Sequence, residues 1–448
     1  MIVSHFARHA TLIIASAFVI ACGTSKKTPQ ANTFTNNNTN TSMATKPVLP
    51  QPNGITDATL QQLIEQDTYL NTIASNKTQY QVQILFTQIN RNSSNEPKFT
   101  TYHYNTDPNF YFYPASMVKL PVVMLALQKI KELNAQGIAI TKETTMITEA
   151  SNLSYKPAYN DATTPDGKPT IAHYIKKVLL VSDNDAYNRL YEFCGQEYIN
   201  NNLQQLGYKG IEILHRVETG LNFEENKTTN PINFYDGNNN IIYAQLAATN
   251  KKKYSNRTDL RGVGYIKNGK LINEAFDFSK KNRYNLNEMH NTISSIVFGQ
   301  GIDKRKPFNI TDADKQFVLQ YMSQLPRETT YPTYPLPTYY DGYCKFHLYG
   351  STKTNIPNNL RIFNKVGDAY GYISDAGYVV DFATGTEFML SSTIYVNKDG
   401  VFNDDTYEME SIALPFMQRL GQLLLQYEQK RKKQVIPNLD YLKLTYDK

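Results

Sequence analysis

The chain of 448 residues contains no tryptophan and only three cysteines, and its seven histidines are scattered. No His, Cys, Asp or Glu spacing typical of metal ligation occurs, so the sequence calls for no metal and no other cofactor. A disulfide scaffold is excluded by count: after Cys22 only Cys194 and Cys344 remain. In an oxidising compartment those two could pair, but their separation gives no geometric support for it. A basic stripe is missing too. The net charge of +6 is spread along the chain, which makes nucleic acid a poor partner. The local run Lys430 to Lys433 closes the last predicted helix, where cations oppose the helix dipole. The apolar stretch Ala10 to Ile20 is too short to span a bilayer as a stable helix.

That stretch reads instead as a targeting signal. His5, Arg8 and His9 give it a weakly basic start, and Val19-Ile20-Ala21-Cys22 ends it with small and aliphatic residues before a cysteine. The pattern resembles a bacterial lipoprotein signal, which implies removal of residues 1–21 and lipidation of Cys22. Several acyl chains on one residue would anchor firmly, each buried methylene adding about 0.8 kcal/mol. The expected location is the bacterial envelope, membrane-held through Cys22; Gly23 is compatible with the outer membrane, facing the periplasm or the surface. Residues 22–54 follow as a tether. Asn32 to Ser42 is almost all Asn and Thr, then come Pro47, Pro50 and Pro52, and nothing there can bury apolar surface.

About 395 residues remain, enough for one large domain or two intimate lobes. Tyr (33) and Phe (21) supply the aromatic core. The order of predicted elements is a helix over Asp57–Ser75, strands over Tyr80–Ile89 and Phe99–Tyr104, then a block of helices: Ser116–Ala135, Thr170–Leu180, Asp185–Phe193, Glu288–Phe298 and Thr311–Leu325. Strands return at Leu360–Val366, Gly377–Phe382 and Glu387–Val396, followed by a helix over Thr406–Glu428. An antiparallel sheet built from both chain ends and flanked by helices, with an all-helical lobe between, satisfies that α+β order. The domain spans 55–433, and 434–448 is left as a C-terminal tail. Phe223 to Tyr284, rich in Asn, Lys and Tyr, reads as an insertion (about 223–285), with a hairpin turning at Asn268-Gly269.

Four short motifs carry chemistry. Ser116-Met-Val-Lys119 opens the strongest helix, so Ser and Lys share one face and the serine lies near free backbone N–H groups. A serine hydroxyl is a weak nucleophile that needs a base within hydrogen-bond reach, and Lys119 can be that base. Alone, the pair would read as an N-capping serine with a solvent-facing lysine. Ser182-Asp183-Asn184 sits between two predicted helices, where a plain cap would also fit. Arg216-Val-Glu218-Thr-Gly-Leu221-Asn222 places a carboxylate and an amide four residues apart in a loop, able to hold a water between them; a structural Arg–Glu pair is the plainer reading. Lys365-Val366-Gly367 lies on a predicted strand.

In this order, and with the context Phe112-Tyr-Pro-Ala-Ser116, the four motifs resemble the class A serine β-lactamases and the wider penicillin-recognising hydrolases. The resemblance spans roughly Asp57 to Glu428 and implies that family's sheet-plus-helical-lobe fold. It implies that Ser116 is the nucleophile, that Ser182 relays a proton to the leaving nitrogen, and that Asn184 holds the substrate amide and Lys119. Glu218, with Asn222, activates the water that hydrolyses the acyl-enzyme. Lys365 attracts a substrate carboxylate, and the backbone at Gly367–Asp368 completes an oxyanion hole with Ser116. Whether Lys119 or Glu218 deprotonates Ser116 is left open. Val366 departs from the family's Thr or Ser and offers no hydroxyl to a carboxylate, a loss of about 1.5–3 kcal/mol. The family chain is also much shorter at 223–285, where the insertion is either a lid or a surface elaboration. The expected activity is β-lactam hydrolysis; the same site could serve peptidoglycan peptides or other amides and esters, or the fold could persist as a non-catalytic envelope lipoprotein.

Overall fold

The computed structural model describes residues 50–151 and 155–447; Cys22, the signal segment and the tether up to residue 49 lie outside them. The helices that position the site are α1 (Ala58–Glu65), α2 (Thr68–Ser75), α3 (Lys119–Ala135), α4 (Ile171–Val181), α5 (Asn184–Cys194), α6 (Leu286–Phe298) and α7 (Leu414–Lys430). Five strands, β1 (Gln83–Arg91), β2 (Pro97–Tyr104), β3 (Leu360–Ala369), β4 (Tyr372–Asp381) and β5 (Thr386–Tyr395), form one antiparallel sheet in the order β3-β4-β5-β1-β2. Both chain ends therefore meet in one sheet, β1 pairing with β5.

Strand alternation sorts the side chains onto two faces. Ile84, Phe86, Ile362, Val366, Ile373 and Leu390 pack with α1, α2 and α7 on one side. Leu85, Phe363, Ala376, Tyr378 and Met389 face α6 and the helical lobe on the other. Between Lys119 and Gln128, α3 is buried all round rather than along one stripe, so it is the axle of that lobe. This α+β architecture is the one expected.

The differences have local causes. The helix predicted over Asp57–Ser75 breaks in two, because Asp67 accepts the N–H groups of Tyr69 and Leu70 at 2.9 and 3.1 Å and so caps α2. The last helix is entered later than predicted, through a π turn at Met409–Ala413. The segments flanking the expected domain pack onto it: Gln81 donates to the Pro50 carbonyl at 3.0 Å, and Leu439 and Leu442 are buried. Cys194 and Cys344 are both free and buried. The hairpin turn at Asn268-Gly269 is present, both residues at positive φ (52° and 73°). Elsewhere in the insertion Phe278 is fully buried, its ring 5.8 Å from that of Tyr113 and 5.3 Å from that of Tyr370. That part of the insertion is neither a lid nor a loose elaboration; it is a buttress behind the turn that leads to Ser116.

Candidate active site

Ser116 stands in a 3-10 turn, Ala115–Val118, that runs directly into α3. Ala115 has φ of 46°, a conformation that residues with a β-carbon seldom hold. Such strain persists where the surroundings over-determine it. Here the edge strand β3 does so: a β-carbon at Gly367 would lie 2.6 Å from the Pro114 carbonyl oxygen and 3.1 Å from the Met117 nitrogen. Only glycine lets β3 lie this close, and the contact brings the backbone at Gly367–Asp368 alongside the serine turn.

The second motif is placed by helix ends. Ser182 closes α4 in the left-handed region (φ 61°), its N–H donating to the Val178 carbonyl at 3.1 Å. Asp183 then accepts the Ala186 N–H at 2.7 Å and starts α5. The Ser182 and Asn184 side chains are left to meet α3. Lys119, far from solvent-facing, is fully buried, and its Nζ donates to the Ser182 carbonyl and to Asn184 Oδ1, with Ser182 Oγ at 3.3 Å.

Lys365 reaches in from β3, its Nζ donating to Ser182 Oγ at 2.8 Å and to the Val366 carbonyl at 2.8 Å. Burial pulls its ammonium down to about 8, although Cys344 and Asp375 oppose the shift. Asn184 Nδ2 donates to Glu218 Oε2 at 2.5 Å. Lys365, Ser182, Lys119, Asn184 and Glu218 therefore form one connected hydrogen-bonded chain drawn from four separate stretches of sequence. Such a chain can carry protons, and Lys119 within it lies one turn after Ser116 at the helix start.

Three motif residues have surroundings that the sequence did not show. Arg216 pairs not with Glu218 but with Glu192 on α5: its Nε donates to Glu192 Oε1 at 2.8 Å and its Nη2 to the Thr228 carbonyl at 2.7 Å, with both partners' side chains fully buried. The Asn222 amide oxygen is engaged in its own turn. This Oδ1 accepts the N–H groups of Glu224 and Glu225 at 2.9 and 3.0 Å, while the exposed Glu218 (φ 54°) is bonded to Asn184. Val366 turns its side chain into the core under the sheet, and Asp368 is exposed at the strand end. Glu192 escaped sequence reasoning because nothing local marks a helical glutamate as an ion-pair partner across the lobe.

A family model described as the beta-lactamase enzyme family matches residues 66–307. That is more than half of the chain, and the protein belongs to this family. No curated protein matches it. Among solved structures it is similar to PBP-A, at 16% identity with 85% of this chain and 100% of that chain covered and a TM-score of 0.44. A class A β-lactamase from Clostridium kluyveri is 12% identical, with 83% and 99% covered and a TM-score of 0.44. A β-lactamase from Sphaerobacter thermophilus is 10% identical, with 84% and 98% covered and a TM-score of 0.42.

Proposed function

We propose that the protein is a serine hydrolase that opens β-lactam amides through a Ser116 acyl-enzyme and releases it by hydrolysis, as class A β-lactamases do. The observation that carries this reading is the chain from Lys365 through Ser182 and Lys119 to Asn184 and Glu218. Ser116 attacks the lactam carbonyl, with its proton passing to Lys119 or Glu218. The oxyanion is met by the N–H groups of Ser116 and Asp368. Ser182, held between the two lysines, delivers a proton to the leaving nitrogen, and Lys365 draws the substrate carboxylate. Glu218 then activates water to cleave the ester.

A second reading is favoured by the loop itself. With Asn222 engaged in its own turn, the water-activating step is less prepared than the acylating one, which suits a penicillin-binding enzyme with a long-lived acyl-enzyme. Intact-mass spectrometry separates the two while a chromogenic cephalosporin is turned over. Rapid colour change in the wild type, with an adduct trapped only in Glu218→Gln, establishes the hydrolase; a stable adduct in the wild type establishes the second reading. No adduct and no turnover rule out both.

We also propose envelope anchoring through lipid on Cys22, on the strength of the signal pattern alone. Detergent-phase partitioning of the natively expressed chain tests it: the wild type should enter the detergent phase and Cys22→Ala should not.

A further inference from the structure

Between α6 and β3 runs a tyrosine- and proline-rich segment that the reaction above does not use, from Tyr331-Pro-Thr-Tyr334-Pro-Leu336-Pro to Tyr343. The rings of Tyr334, Tyr339 and Tyr343 form a ladder, with centroids 4.9 Å and then 5.0 Å apart. Tyr331 and Leu336 of the same segment are 47% and 70% exposed. The inner end is fixed: Asn364 Nδ2 donates to the Cys344 carbonyl at 2.9 Å, and Arg327 Nε donates to the Asp341 carboxylate at 3.0 Å.

The placement matters. The turn Asp341–Cys344 packs against α4, the helix that ends at Ser182. The Tyr334 hydroxyl lies within electrostatic reach of Asp183, and the Cys344 thiol within that of Lys365 and Lys119. The tyrosine segment is therefore packed on the helix that leads to Ser182, with Tyr334 within electrostatic reach of the residue that follows it. Its Tyr334 hydroxyl is shut away from solvent without a hydrogen-bond partner, a costly state that an incoming acceptor would relieve. Burial, and then Asp183, hold that phenol protonated, so it is a donor.

Under the mechanism proposed above, Ser182 is the group that protonates the departing heteroatom. Whatever adjoins Ser182 faces the half of the substrate that leaves, not the acyl half that stays on Ser116. We infer that the Tyr331–Tyr343 rim is a leaving-group subsite, fitted to amides or esters whose departing half carries a planar, largely apolar ring, with Tyr334 donating to a polar atom on it. Tyrosine faces stack on such rings, and the prolines keep the rim stiff so that little is lost on binding. The inference rests on the Ser116 reading for its chemistry.

The test uses two acyclic esters with one acyl group in common, one releasing a phenyl-substituted hydroxy acid and the other a small aliphatic hydroxy acid. In the step tested, Ser116 Oγ bonds to the acyl carbon, the carbon–oxygen bond to the hydroxy acid breaks, and the released alkoxide takes the relayed proton. Both esters then pass through the same acyl-enzyme. Tyr334→Ala and Leu336→Ser in the full chain should lower acylation by the phenyl ester roughly tenfold, leave the small ester unaffected, and leave deacylation unchanged. Equal losses for both esters, or a change confined to deacylation, would overturn the subsite. Tyr334→Phe isolates the hydroxyl, since it keeps the ring and should cost less than Tyr334→Ala. Binding of the free phenyl-substituted hydroxy acid to Ser116→Ala, followed by NMR, decides the matter apart from the chemistry. Binding lost on adding Tyr334→Ala supports the rim; binding absent or indifferent to that change overturns it. Failure of the serine reading has a different signature, ester turnover by Ser116→Ala equal to wild type.

Discussion

The β-carbon that Gly367 lacks would fall 2.6 Å from the carbonyl oxygen of Pro114, two residues before the candidate nucleophile. Strand and serine turn are thus seated against each other with no spare atom between them. Gly367→Ala should destabilise the fold by about 1–3 kcal/mol through overpacking. It should also cut acylation about a hundredfold or more if the Asp368 N–H is the proposed oxyanion donor, because that group is displaced with the strand. Urea denaturation reads the first effect and the rate of adduct formation the second. Lost stability with unchanged acylation would mean that the oxyanion site does not depend on this contact.

A pH dependence follows from Lys365, buried and held at about 8 against an ordinary 10.5. Below about 8 the folded protein carries the cation; above it the folded form has released a proton that the unfolded chain keeps up to 10.5. The unfolded state then binds more protons, so this group makes stability rise with pH between those values. Substrate capture runs the other way. The kcat/KM for a carboxylate-bearing lactam should fall as pH rises through about 8, because the attracting charge is lost. Lys365→Arg should move that limb upward, even at a lower plateau. A limb that stays in place would assign it to another group.

The buried pair of Arg216 and Glu192 holds the base of the loop that carries Glu218. Removing one partner strands a charge in the core and should cost about 3–5 kcal/mol, whereas replacing both with apolar residues of similar volume should cost much less. At temperatures where the single variants remain folded, their acyl-enzyme should live longer if Glu218, carried by this loop, activates the water as proposed, since Ser116 lies on another element. Chemical denaturation and acyl-enzyme lifetime, measured for Arg216→Met, Glu192→Leu and the double variant, check both expectations.

Much of this was legible in the sequence because helix ends advertise themselves. Ser182-Asp183 reads as a cap and is one, and Ser116 to Lys119 reads as a helix start and is one. The order of predicted elements likewise assigned the chain ends to one sheet. What the sequence hid was long-range complementarity. Phe278 is only one of 21 phenylalanines until the fold sets its ring against Tyr113 and Tyr370. The break at Asp67 was missed because an apolar period continues across it, while the cap depends on one carboxylate turning back to the backbone. The Tyr331–Tyr343 run did carry a signal, the recurrence of tyrosine and proline, but its place on the helix that leads to Ser182 comes only from packing.

Asn184, not Asn222, is the amide that bonds Glu218. Asn222 spends its amide oxygen on the N–H groups of Glu224 and Glu225, whereas Asn184 bridges Lys119 and Glu218. Asn222→Ala should therefore behave as a lost cap, costing about 1 kcal/mol of stability and leaving deacylation close to wild type. Asn184→Ala should slow both steps, because Lys119 loses an acceptor and Glu218 loses the donor that orients it. Single-turnover acylation and deacylation rates, set beside thermal melts, separate the two cases. If Asn222→Ala instead stalls deacylation as Glu218→Gln does, the free Nδ2 of Asn222 holds the hydrolytic water, and the carbonyl contacts merely aim it.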